Sequence, residues 1–168
     1  MNRLITATFV AVFYCALVVA AREKQIFLVI DDAGLALGET QQFLDIPIPM
    51  TIAVLPRQKQ TKAVCEALAR DPYKEIILHQ PMEAYNAEKN PGPGAIYDRT
   101  PSADVEKILD QNLRSVAGAV GVNNHMGSRV TENPELVRAV LDFCKKNDLF
   151  FLDSKTAYNS LVPRTAPK

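Results

Sequence analysis

The chain holds only two histidines, His79 and His125, and each follows an apolar run. His79 opens His79-Gln80-Pro81-Met82-Glu83 after Glu75–Leu78, and His125 lies in Asn123-Asn124-His125-Met126-Gly127-Ser128 after Ala119–Val122. Asp31-Asp32 follows Ile26–Ile30, and Asp153-Ser154 follows Leu149–Leu152. Carboxylates and imidazoles are ligands that zinc accepts, and a catalytic zinc keeps three protein ligands with one position open to water. Asp32, His79 and His125 would supply such a set, and Asp31 would take the proton of the activated water. Neighbouring side chains on a strand point in different directions, so Asp31 and Asp32 need not share a role, and one can face the metal while the other faces substrate.

Each residue also has a plainer use. Asp-Asp after a strand makes an Asx-type turn, and a lone histidine is often a satisfied core group. Asn123 and Asn124 suit a turn, and Asp153 suits a helix cap. Independent turn formers have no reason to collect at one end of one sheet, which favours the metal-hydrolase reading.

The elements that would gather these clusters are legible. Five short β-rich runs, Ile26–Ile30, Thr51–Leu55, Glu75–Leu78, Ala119–Val122 and Leu149–Leu152, are continuous in polarity, as in parallel strands buried on both faces. Helical spacing fills the gaps. Gln60–Arg70 presents Val64, Ala67 and Leu68 before Asp71-Pro72. Thr100-Pro101 reads as an N-cap and first-turn proline ahead of Val105, Ile108, Leu109 and Leu113. Asn133-Pro134 repeats the signal ahead of Val137, Val140, Leu141 and Cys144, with Lys145-Lys146-Asn147 suiting the helix end. A weaker helix is expected in Glu39–Leu44. Strand and helix in alternation predict a parallel α/β sheet or barrel, whose site lies at the C-terminal strand ends. The Pro-, Gly- and Asn-rich segment Pro81–Arg99 is either a wall of the substrate groove, with Tyr85 and Tyr97, or an ordinary mobile loop.

Composition narrows the partners. Lys+Arg and Asp+Glu both number 19 in 168 residues, so no basic excess points to nucleic acid. Asn2-Arg3, the apolar stretch Leu4–Ala21 and the small residues Val19-Ala20-Ala21 predict a signal peptide over residues 1–21, the alternative being a retained anchor. Either leader puts the domain, residues 25–162 with a tail at 163–168, outside the cytoplasm in the periplasm or cell envelope. Membrane contact is expected only through an uncleaved leader. Cys15 falls in that leader without a lipobox. Cys65 and Cys144 match apolar helix positions and are expected to be small buried hydrophobes rather than a disulfide.

Several of these runs also carry a likeness. Phe27-Leu-Val-Ile-Asp-Asp-Ala-Gly34, Thr51-Ile-Ala-Val-Leu-Pro56, Ile77-Leu-His-Gln-Pro-Met-Glu83, Pro91-Gly-Pro-Gly94, Gly121-Val-Asn-Asn-His-Met-Gly-Ser128 and Phe150-Phe-Leu-Asp-Ser154 resemble the divergent polysaccharide deacetylases over roughly Gln25 to Val162. The resemblance implies an irregular (β/α) barrel, and hydrolysis of N- or O-acetyl groups on an acetylated polysaccharide. It makes Asp31 the candidate base, and Asp32, His79 and His125 the ligands of a divalent metal, zinc by preference. Mainstream deacetylases place their two histidines close together, whereas here they sit on two strand ends. Such barrels also need about seven strands. This sequence yields about five, so the barrel is expected to be incomplete, and the chain truncated relative to the family. Glu83, Asn123, Asn124, Arg129 and Asp153 are candidate substrate contacts or supports of the site. For Arg129 and Asp153, a surface ion pair or helix-end role is an equal alternative. Two rival functions remain open: a non-catalytic exported glycan-binding or envelope-organising module, and a metal hydrolase of another amide such as a peptide cross-link.

Overall fold

The computed structural model describes residues 24–166. The expected leader over 1–21 lies outside them. Among the described residues no helix is long and apolar enough to cross a membrane. Strands β1 (Val29–Ala33), β2 (Met50–Val54), β3 (Lys74–Met82), β4 (Gly121–Met126) and β5 (Phe150–Leu152) form one sheet in the order β1-β2-β3-β4-β5. Every pairing is parallel. Between them come α1 (Leu37–Leu44), α2 (Thr61–Leu68), α3 (Ser102–Ser115) and α4 (Pro134–Lys146), followed by one short turn, α5 (Val162–Thr165).

Sequential order without reversal is barrel winding, because a doubly wound sheet changes direction at a switch point. Parallel crossovers are right-handed, so successive helices land on the same face. That face carries the core. Ile52, Val54, Ile76, Leu78 and Val122 pack there against Val64 and Leu68 of α2, Val105 and Leu109 of α3, and Leu136 and Val140 of α4. Leu109 is fully buried, and truncating such a residue to alanine costs about 2–5 kcal/mol. The opposite face, by strand alternation, presents Ala53, Ile77, His79, Asn123 and His125. The sheet is open, with β1 and β5 as its edges. The outer strands are therefore less buried than expected, and Phe150 and Leu152 remain exposed.

The largest correction concerns strand ends. Asp31-Asp32 lie inside β1, His79 through Met82 inside β3, and Asn123 through Met126 inside β4, rather than after them. Asp31, Asp32, His79, Asn123 and His125 find partners among themselves, and Gln80 and Asn124 find theirs in neighbouring segments, so these polar side chains are satisfied within the sheet rather than in turns. A second correction concerns α3: its first residue is Ser102, and the Thr100 hydroxyl accepts from Tyr97 N (2.9 Å) instead of capping the helix. At α4 the expected cap is present. Asn133 Oδ1 accepts from Glu135 N and Leu136 N, with Pro134 in the first turn. Such a cap contributes about 1 kcal/mol.

The Pro81–Arg99 segment is pinned. Ile96, fully buried, donates to Pro81 O, and Glu83 N donates to Ile96 O. Gly94 O accepts from both Gln80 Nε2 (3.0 Å) and Asn112 Nδ2 (2.8 Å). The φ of Gly94 is +74°, and a side chain there would run into the Asn112 carboxamide, so glycine is required.

Candidate metal centre

The site is assembled from β1, β3 and β4. Register pairs His79 with Asn123 and Pro81 with His125, so His79 and His125 lie on the same face of neighbouring strands, displaced by one pleat. His79 Nε2 stands 3.2 Å from His125 Nδ1, with the rings edge to face at 4.9 Å between centroids. Asp32 Oδ1 lies 2.9 Å from His125 Nδ1 and 3.2 Å from His79 Nε2. One donor atom from each of Asp32, His79 and His125 thus faces a common point.

Asp32 reaches this point, and Asp31 the far side of the His79 ring, where β1 is irregular. Its register runs Ile30↔Ile52 and then Ala33↔Val54, one extra residue across Asp31-Asp32, and Asp32 takes a left-handed φ of 65°. A bulge of this kind re-aims side chains, and backbone strain of this kind is held where the surroundings over-determine it. Asp32 Oδ1 approaches Nε2 of His79, and Asp31 Oδ1 approaches Nδ1 of the same ring at 3.8 Å.

His79 is buried and His125 is partly so. Burial pushes the His79 imidazole below its ordinary value, against the opposing pull of Asp31. A neutral ring is the form that binds a metal.

The other sequence candidates fall into two groups. Asn123, 1% exposed, is hydrogen-bonded to His79 Nδ1 (2.7 Å) and donates to Asp31 Oδ1 (2.9 Å). Asn124 instead ties β4 to the segment after β5, accepting from Ser154 N and donating to Met126 O. Asp153 accepts from Lys155 N within its own turn and from Ser160 Oγ seven residues on. Glu83 accepts from Asp98 N and lies 3.6 Å from Arg129 Nε. Arg129 in turn lies over the Tyr85 ring, whose hydroxyl donates to Glu132. Ser154 and Thr156 were not singled out from sequence. Ser154 Oγ is 3.4 Å from Asn123 Nδ2, and the Thr156 hydroxyl donates to Met126 O. Ser154's place directly after the fifth apolar run was the signal available for it. Thr156 had none.

The sequence model of a family described as divergent polysaccharide deacetylase matches residues 28–168. The chain belongs to that family. Among its relatives, an uncharacterized protein of Haemophilus influenzae is 29% identical over 144 residues, covering 86% of this chain and 51% of its own length. The uncharacterized protein YibQ of Escherichia coli is 32% identical over 142 residues, covering 83% of this chain and 43% of its own. The chain spans about half the length of these curated relatives. The crystal structure of an uncharacterized protein from Agrobacterium tumefaciens superposes with a TM-score of 0.76 at 23% identity, covering 83% of this chain and 57% of that one. That likeness supports the fold of this divergent polysaccharide deacetylase: five parallel strands with alternating helices, in a sheet that does not close.

Proposed function

We propose that the chain is a metal-dependent hydrolase that removes acetyl groups from a polysaccharide outside the cytoplasm. The observation that carries the reading is the convergence of Asp32 Oδ1, His79 Nε2 and His125 Nδ1, with mutual distances of 2.9–3.2 Å. Tetrahedral coordination with bonds of about 2.0–2.1 Å has edges of roughly 3.3 Å, so these residues fit one small divalent ion with little movement. Two imidazoles and one carboxylate suit zinc. A bound zinc would polarise the acetyl carbonyl and make water a nucleophile at neutral pH. Asp31, whose side chain is 45% exposed, accepts the proton of the attacking water. Glu83, directly after β3, and Arg129, three residues after β4, pair with each other beyond these strand ends and are the candidate glycan contacts. The products are acetate and a free amine or hydroxyl. The apolar N-terminal stretch supports export, which would put the domain beside envelope glycans.

The test measures zinc content and acetate release from acetylated chito-oligosaccharides by the purified full chain. One zinc per chain with acetate release lost in His125→Ala is the expected result. Stoichiometric zinc without release would overturn hydrolysis of acetyl groups and leave a glycan-binding module. Cleavage of peptidoglycan cross-links instead would reassign the substrate.

A further inference from the structure

Asn123 sits opposite His79 in the β3–β4 register and is almost wholly buried, so water does not compete for its carboxamide. Its Nδ2 donates to Asp31 Oδ1 (2.9 Å) and lies 3.4 Å from Ser154 Oγ, while its Oδ1 lies 2.7 Å from His79 Nδ1. A carboxylate only accepts hydrogen bonds. Turning the amide over would set its carbonyl oxygen against the Asp31 oxygen, two acceptors in contact, so the orientation is forced. With Oδ1 facing the ring at 2.7 Å, closer than the 3.2 Å between Asp32 Oδ1 and Nε2, the amide draws the His79 proton to Nδ1, and His125 Nδ1–H can donate to both Nε2 and Asp32 Oδ1. The lone pair then lies on Nε2, the nitrogen that faces Asp32 and His125.

We propose that Asn123 is a positioning residue that selects the His79 tautomer with its lone pair on Nε2, and joins that ring to Asp31 through a single amide. The residue type is narrowly determined. Aspartate keeps the acceptor but sets a second carboxylate against Asp31, and alanine loses both contacts. The affinity consequence rests on the metal-site reading above; the tautomer does not.

The test has two arms on the full chain. In metal-free protein labelled with ¹⁵N-histidine, long-range ¹H–¹⁵N correlation reads which ring nitrogen carries the proton. Wild type should show His79 protonated at Nδ1, Asn123→Asp should keep that form, and Asn123→Ala should mix the two tautomers. In zinc competition titrations, Asn123→Ala should bind about 10–100-fold more weakly, with Asn123→Asp closer to wild type. A wild-type His79 protonated at Nε2, or a folded Asn123→Ala with unchanged tautomer, would overturn the proposal. If wild type binds no zinc yet the tautomer shifts as described, the metal hydrolase reading falls and the role of Asn123 stands. If zinc and acetate release are present and Asn123→Ala alters neither tautomer nor affinity, the reverse holds.

Discussion

His79 and His125 turn ring nitrogens toward each other at 3.2 Å, from side chains on the same face of adjacent parallel strands. The Asp32 carboxylate joins them within 3.2 Å of both. Three electron-rich atoms so close repel one another unless a proton or a cation lies between them, so an ion bound there would stabilise the fold.

Zinc at a thousand times its dissociation constant should stabilise the fold by about 4 kcal/mol, on the order of 10 °C in Tm. Thermal melts with zinc and with chelator measure the difference, and His125→Ala should abolish it. An unchanged Tm at saturating zinc counts against the site.

The two aspartates should separate in their effects. Asp32→Ala removes a proposed ligand, and zinc affinity should drop on the order of 100-fold. Asp31→Ala leaves the three facing donors in place. It should hold zinc within about tenfold while losing acetate release by about 10²–10⁴-fold. Equal zinc loss in both variants would erase the distinction drawn from the bulge.

Acid should destabilise the metal-free protein through His79. Burial lowers its folded value below the ordinary 6.5, so between those two values the unfolded chain binds more protons than the folded one. Stability is then fully present above pH 6.5 and falls as the pH drops through the window. Denaturant midpoints from pH 5 to 8 in chelator test the slope, which His79→Gln should flatten.

Gly94→Ala should destabilise by about 2–4 kcal/mol, combining left-handed backbone strain with a collision against a fully buried Asn112. Urea unfolding gives the value. A loss under 0.5 kcal/mol would mean that Asn112 and the Gln80 amide can yield.

Burial pushes the Cys65 thiol up to about 11 and the Cys144 thiol up to about 12. Neither should react with a thiol reagent at pH 8 until the protein unfolds. Rapid modification of Cys144 in the native state would contradict the packing of α4.

The sequence by itself determined the alternation of strand and helix, the parallel class, the cap of α4, and the residues that meet in the candidate metal site. Those features rest on local physics: apolar runs, helical spacing, and polar side chains at one end of each strand. His79 and His125 stood out because the chain has no others. The strand ends were misplaced, because a polar residue buried with a partner has the same one-letter symbol as a polar residue in a turn. Only the tertiary structure decided that Asp31 and Asp32 approach opposite nitrogens of one ring, since that depends on one extra residue in the pairing of β1 with β2. The register of β3 against β4 is equally non-local, and it set Asn123 beside His79 rather than in a turn. Side-chain direction on a strand reverses with each residue, so a single-residue slip, invisible in composition or spacing, settles which atoms meet.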